Sequence, residues 1–257
     1  MLKVRVIPTL LWKDFGLVKG VGFDSWRRVG SVLPSVKVYN QREVDELILV
    51  DILAHLSNEE LDFESICEFG QDCFVPLTIG GGISNIDQVQ KLLRVGADKV
   101  CVNTQAYSDP ELITQIARRH GSQCIVASID VMQKTDNSWE CYSHAGKEPT
   151  GKDVIEWAIE MEDRGAGEIL LTSIERDGTM EGYDLKLIEA IIKSVKIPVI
   201  ASGGAGKYQD MIDAVNKCGA SAVAAASMFH FTQQTPLGAK SAMESAGIPV
   251  RKNFIST

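Results

Sequence analysis

Short apolar runs alternate with amphipathic stretches along the whole chain. The apolar runs fall at residues 4–10, 46–52, 74–79, 99–103, 123–130, 168–174, 198–202 and 221–226. Most are rich in Val and Ile and end in Gly, Asp, Asn or Ser, the pattern of strands buried on both faces. Between them, residues 109–120, 152–164, 185–195 and 208–217 carry helical spacing. Gly96, Gly165 and Gly219 follow the ends of such stretches, as helix C-caps do. Eight strand–helix units in 257 residues average about 32 residues each, the size of a βαβ repeat. That count at that length predicts an α/β fold, a closed (β/α)₈ TIM barrel. An open doubly wound sheet is the alternative, but no G-x-G-x-x-G follows the first strand. No linker or low-complexity segment divides the chain, so residues 1–257 are read as one barrel domain.

The two halves of the pattern resemble each other. P-L-T-I-G-G-G at 76–82 lies over P-V-I-A-S-G-G at 198–204, and D-E-L-I-L at 45–49 lies over G-E-I-L-L at 167–171. Residues 96–104 align with 219–227, and residues 5–11 with 124–130. A repeat of half the chain predicts two four-strand half-barrels, so a ligand group bound at the strand ends of one half has an equivalent place in the other.

Composition narrows the function classes. Lys and Arg number 26 against 34 Asp and Glu, a net charge of −8, which argues against a nucleic-acid or membrane-surface binder. It leaves room for phosphate bound by backbone amides. No apolar run reaches the ~18 residues of a membrane span, and the charged start M-L-K-V-R-V is not a secretory signal. Six scattered cysteines (67, 73, 101, 124, 141 and 218) without paired spacing then read as reduced thiols of a cytoplasmic protein. The four histidines (55, 120, 144 and 230) form no metal-binding cluster, so neither a metal nor a cofactor is expected.

In such a barrel, chemistry occurs where strands end and loops begin. Gly80-Gly81-Gly82 and Ser202-Gly203-Gly204-Ala205-Gly206 each end a strand and open a helix. Glycine lets backbone N–H groups approach an anion, and a helix N-terminus adds partial positive charge. Asn103-Thr104 and Ala226-Ser227 end the next strand in each half, and Asp177-Gly178-Thr179 forms a further polar turn. Two such turns at symmetric positions predict two phosphate sites on one phosphorylated small molecule; tight turns with no ligand are the plainer reading. Asp130 ends a very apolar strand between them, a placement suited to acid–base work. Asp51 ends the second strand similarly, although capping the next turn is its plainer role. The symmetric partner of Asp130 is Leu11, so half of a possible carboxylate pair is chemically silent. At the other end, Arg5, Glu46, Lys99 and Glu168 start four strands. Buried charges there must neutralise one another, either as a structural plug or as a gate that passes a small neutral molecule such as ammonia.

These residues carry a resemblance. From Arg5 to Arg251 the chain resembles the cyclase subunit of imidazole glycerol phosphate synthase. The resemblance lies in V-K-G at 18–20, D-E-L-I-L-V-D-I at 45–52, P-L-T-I-G-G-G-I at 76–83 and G-A-D-K-V-C-V-N-T at 96–104. It continues in G-S-Q-C-I-V-A-S-I-D at 121–130, G-A-G-E-I-L-L-T-S-I-E-R-D-G-T at 165–179 and I-P-V-I-A-S-G-G-A-G at 197–206. The resemblance implies a barrel that takes ammonia from a glutaminase docked on the strand N-terminal face. At the far mouth the ammonia would meet a bisphosphorylated substrate, yielding imidazole glycerol phosphate and an aminoimidazole carboxamide nucleotide. It further implies phosphate contacts at Gly82, Asn103 and Thr104 in one half and at Gly178, Gly204 and Ser227 in the other. Asp51 and Asp177 would line the substrate site, and Lys19 would lie in a mobile loop over it. Arg5, Glu46, Lys99 and Glu168 would form the ammonia gate, and Asp98 would sit at the glutaminase interface.

The departures matter equally. The family's two catalytic aspartates map onto Leu11 and Asp130. The segment T-L-L-W-K-D-F at 9–15 adds Trp12, expected at the mouth, and residues 21–33 differ from the family's loop. Asp14, three residues after Leu11, is a weak substitute. Losing one of two acid–base groups forfeits about 10²–10⁴ in rate. Three functions stay open. The first is an ammonia relay serving a sugar amidotransferase in acetamidino-sugar synthesis for surface lipopolysaccharide. The others are an active cyclase of histidine biosynthesis and a phosphate-binding assembly subunit.

Overall fold

The computed structural model describes residues 2–14, 16–54 and 61–251. Phe15 and His55, named above, and the C-terminal end of the expected 1–257 domain lie outside them. Eight parallel strands close a barrel: β1 (Arg5–Lys13), β4 (Leu47–Asp51), β5 (Leu77–Gly80), β6 (Lys99–Val102), β7 (Ile125–Gln133), β10 (Glu168–Ser173), β11 (Val199–Ser202) and β12 (Ala222–Ala225). Each pairs in parallel with the next, β7 with β10, and β12 returns to β1. The open-sheet alternative fails because no edge is left.

Helices cover the outside, among them α1 (Val32–Gln41), α2 (Phe63–Gln71), α3 (Ile86–Arg94), α4 (Thr104–Ser108), α5 (Glu111–His120), α6 (Val154–Asp163), α7 (Leu185–Ser194) and α8 (Tyr208–Cys218). α9 (Ser227–Phe231) and α10 (Pro236–Ser245) complete the set. Their starts are written locally. Asp62, Asn85, Asp153 and Asp184 each accept a hydrogen bond from a first-turn backbone N–H, and Thr235 does so before the Pro236 that opens α10. The C-terminal part is tied to the floor by Asp45, which accepts from Val6 N at 2.9 Å and meets Lys240 at 3.4 Å and Arg251 at 3.2 Å.

Several expectations need correcting. Phe74 is not in a strand; it is 81% exposed, and β5 begins only at Leu77. Residues 152 and 153 end a strand, so the expected helix starts at Val154. Residues 16–30, expected as a loop, form an antiparallel hairpin, β2 (Gly16–Val21) and β3 (Asp24–Gly30). Gly22 and Phe23 turn it with φ of 59° and 61°, the left-handed pair that two-residue hairpin turns require. A second hairpin, β8 (Trp139–Ser143) and β9 (Glu148–Asp153), follows β7. Each half-barrel thus carries a hairpin after its first strand. Trp12 does not crowd the mouth. It points outward, is buried, and packs edge-on to Phe69 with ring centroids 5.4 Å apart.

Strand alternation sorts the barrel interior into layers. Arg5, Ile7, Thr9 and Leu11 share one face of β1 and climb from floor to mouth. Ile7, Ile48, Cys101, Val126, Leu170, Ile200, Ala222 and Ala224 form a separate apolar cluster within the barrel. It lies above the charged floor and beneath a polar mouth.

Candidate functional site

The floor is a closed ring of charge. Arg5 Nη1 lies 2.7 Å from Glu46 Oε1 and 2.9 Å from Glu168 Oε1. Lys99 Nζ lies 3.1 Å from Glu46 and 3.3 Å from Glu168. Each cation meets both anions, so the four charges cancel within one layer. Burial penalises the Arg5 guanidinium, yet Glu46 and Glu168 outweigh it and hold its pKa above the ordinary value. Asp98 stands beside the ring on the same face, exposed, its carboxylate accepting from Leu77 N at 2.8 Å.

At the opposite end a cavity of about 640 Å³ opens. Its lining includes Lys19, Asp51, Gly82, Asn103, Thr104, Asp130 and Asp177, seven of the residues singled out from the sequence. Gly178, Gly204 and Ser227 instead line a second pocket beside it, of about 10 Å³, which shares Thr9, Asp177 and Ser202 with the first. The two cradles therefore flank one mouth but are unequally open. Gly204, with φ of 111°, lies so close to Gly182 that a Cβ would stand 2.3 Å from its carbonyl oxygen. Gly178 is required for a different reason: a Cβ there would stand 2.1 Å from the Gly20 carbonyl oxygen of β2. Its bare backbone lets the first hairpin dock.

Asp130 is buried at the centre of the mouth, and burial pushes its carboxyl up to about 7. The charge of Asp177 raises it further, while a hydrogen bond from Asn103 Nδ2 at 2.6 Å opposes the rise. Such a carboxyl changes protonation near neutral pH, as a general acid or base must. Leu11 lines the same cavity and offers no proton. Asp14 does not line it; it lies exposed beyond the strand, its carbonyl accepting from Trp12 Nε1. Asp51 caps the following turn, accepting from Leu53 N at 2.9 Å and Ala54 N at 3.1 Å, while also lining the cavity. Among the described residues, nothing hydrogen-bonds the buried Ser227 Oγ or Asn103 Oδ1. The hydroxyl in the smaller cradle suits an anion that would accept its proton.

Lys19 departs from expectation. It is buried on β2, and its Nζ stands 2.5 Å from Asp177 Oδ2. Gly22 N also donates to the Asp177 carbonyl at 2.9 Å. A lysine in the middle of a paired hairpin strand has its backbone held, so only its side chain can change partner. Sequence reasoning also missed three residues lining the cavity: Phe23 and Trp26 from the first hairpin and His144 from the turn of the second. His144 N donates to Thr104 Oγ1 at 3.0 Å, and Gly146 of that turn packs against the Phe23 ring. The available signal was Gly22 and Gly146, each between short alternating segments. Among the described residues, no group of three or more His, Cys, Asp or Glu is arranged to hold a metal ion, and no helix is long and apolar enough to cross a membrane.

Comparison with known proteins agrees with this architecture. Residues 5–235 match the histidine biosynthesis protein family. The chain is 45% identical over 251 residues to imidazole glycerol phosphate synthase subunit HisF of Pelodictyon phaeoclathratiforme, covering 98% of this chain and all of the relative. It is 46% identical over 252 residues to the subunit of the same name from Caulobacter vibrioides, covering 98% and 97%. The Chlorobium luteolum subunit HisF is 44% identical over 251 residues, covering 98% of this chain and all of the relative. With a closed eight-strand barrel and full-length similarity of this degree, the chain belongs to the histidine biosynthesis protein family, among its HisF-type cyclase subunits.

Proposed function

We propose that the chain is the ammonia-using barrel subunit of a glutamine-dependent synthase, with entry at the charged floor and chemistry at the mouth. A glutaminase docks on the strand N-terminal face, where Asp98 is exposed beside the ring. Ammonia, being neutral and small, passes when one member of the Arg5–Glu46–Lys99–Glu168 ring swings aside. Ammonium is refused because the ring already has its cations. At the mouth a bisphosphorylated nucleotide spans the two cradles, Gly82, Asn103 and Thr104 holding one phosphate and Gly178, Gly204 and Ser227 the other. Lys19, Asp51 and Asp177 line the stretch between. Asp130 transfers protons, and the products are imidazole glycerol phosphate and an aminoimidazole carboxamide nucleotide, in cytoplasmic histidine biosynthesis. The observation that carries this reading is Asp130 itself, a buried carboxyl poised near neutrality between two anion cradles. The relatives' names favour imidazole formation over donation to a sugar. The test incubates the barrel with the bisphosphorylated nucleotide and ammonium, then with a glutaminase and glutamine, and measures imidazole glycerol phosphate. No product from either nitrogen source would sink it.

Leu11 favours a second reading, in which ammonia is relayed to a sugar amidotransferase that activates its own acceptor. There the barrel needs the ring but not a full acid–base pair. Leu11→Asp separates the two. A relay gains cyclisation when the carboxylate is added, whereas a working cyclase is not improved by it.

A further inference from the structure

The mouth lacks a carboxylate at position 11 but does not lack a second carboxylate. Asp177 is buried, lines the same cavity as Asp130, and sits in the turn after β10. The strand pairing sets Thr172 of β10 directly beside Asp130 of β7, five residues before Asp177. We propose that Asp177 is the second proton-transfer group of this mouth, held in reserve by Lys19 and released when an anionic ligand draws the lysine away. The inference rests on the cyclisation reading and identifies the residue that stands in for Leu11.

Charge balance in a buried space governs this pair. With Lys19 Nζ at 2.5 Å, the Asp177 carboxylate is paired with a cation in a buried place. Lys19 also lines the cavity, so a phosphate entering it competes for the ammonium. Once Lys19 turns to the ligand, Asp130 and Asp177 face one cavity with no cation between them, and two such carboxylates share one proton. The first hairpin is fixed through backbone contacts, Gly22 N to the Asp177 carbonyl and Gly178 against Gly20, so Lys19 can change partner without the strand leaving.

The pair then serves addition of ammonia to a substrate carbonyl. The nitrogen lone pair forms the new C–N bond, and the C=O π pair moves to oxygen. The protonated carboxyl gives its proton to that oxygen, and the ionised carboxylate takes one from the added nitrogen. The pair ends with one proton, as it began.

Other titratable groups that face Asp130 are Cys101 from β6, Tyr107 from α4 and Cys141 from β8, with Tyr142 its direct pairing neighbour on β8, while Asp51 and His144 line the same cavity. Burial pushes the Cys101 and Cys141 thiols up to about 12 and raises the Tyr107 phenol, so all three stay neutral across the working range. Asp177 is the like charge that raises Asp130, and its pairing with Lys19 is what an entering anion would alter.

The test uses the full chain with carboxyl-¹³C aspartate, Asp130 being assigned from Asp130→Asn, and follows its titration with and without inorganic phosphate. Lys19→Met is expected to raise the Asp130 midpoint and Asp177→Asn to lower it; phosphate raises it more in the unmodified protein than in Asp177→Asn. In ammonium-dependent turnover of the bisphosphorylated nucleotide, Asp177→Asn should lower kcat on the order of 100-fold. Leu11→Asp placed in the Asp177→Asn background should recover at least ~10-fold of that loss, because it returns a carboxylate to the mouth. An Asp130 midpoint unmoved by Asp177→Asn, or no recovery from Leu11→Asp, overturns the proposal. If the unmodified protein binds the nucleotide yet forms no product, the cyclisation reading falls separately. The titration then still decides whether the two carboxylates are coupled.

Discussion

The floor and the mouth of this barrel use the same residue types to opposite ends. At the floor, two cations and two anions contact one another in every opposite-sign combination, at 2.7–3.3 Å. At the mouth, Asp130 has burial, a like charge and a single amide donor, and its carboxyl sits near neutrality. Buried charge that is fully paired is inert; buried charge that is under-compensated changes protonation easily. The floor is a layer whose charges satisfy one another, and the mouth is a layer whose charges do not. The orphaned Ser227 hydroxyl belongs to the second kind.

The sharpest way to break the contrast is to neutralise Asp130. Asp130→Asn keeps the shape and removes the proton carrier, so turnover should fall by about 10²–10⁴ while the fold is retained. Product formation with ammonium, alongside a thermal melt, checks both halves of that statement. A variant that melts normally and keeps its rate would remove Asp130 from the chemistry.

The corresponding change at the floor should act on stability first. Glu46→Ala leaves Arg5 and Lys99 sharing only Glu168, and breaking a buried pair in this way costs about 3–5 kcal/mol. Each side chain keeps some solvent contact, so the lower end is expected. Denaturant unfolding measures the loss, and the fraction of glutamine-derived nitrogen reaching product measures the leak.

The pH dependence sharpens the comparison further. Asp130 titrates near 7 in the folded protein and near 4 when unfolded, so the folded state holds the extra proton between those values. Its stabilising contribution is complete below about pH 4 and is lost as pH rises through about 7, amounting to a few kcal/mol. Stability of Asp130→Asn relative to the unmodified protein should therefore increase from pH 5 to pH 8. Parallel melts that show no such divergence would mean Asp130 is better solvated than its burial implies.

The smallest effect belongs to Asp98. Removing its carboxylate costs the barrel one part-buried hydrogen bond from Leu77 N, about 1 kcal/mol. Binding of a glutaminase, followed by calorimetry, should suffer far more than the barrel's melting temperature. Equal, small changes in both would take Asp98 out of the interface.

Much of this was legible from residues alone, because the barrel repeats a local pattern. Each strand announces itself by an apolar run, and each inward position follows from alternation by two. That is how Arg5, Glu46, Lys99 and Glu168 are assignable to one floor from residue order alone. The hairpins escaped because their segments lack the continuous apolar runs of the barrel strands: Asp24–Gly30 carries two arginines and is largely exposed. Lys19 escaped with them. Its neighbours in sequence read as a loop, but its partner Asp177 lies 158 residues away. Trp12 was misplaced for a related reason, since strand parity sends it outward to Phe69 once the register of β1 is known.

The sequence by itself determined the number of strands in the barrel, the half-chain repeat, the residues of the floor ring and the absence of a carboxylate at position 11. Each is a matter of local period or residue identity. Tertiary structure alone decided that one cradle is open and the other nearly closed, that Lys19 neutralises Asp177, and that Asp130 titrates near neutrality. Those properties depend on burial and on distances between strands far apart in the chain. A carboxyl's proton affinity is set by the solvent and charges around it, and no stretch of sequence contains them all.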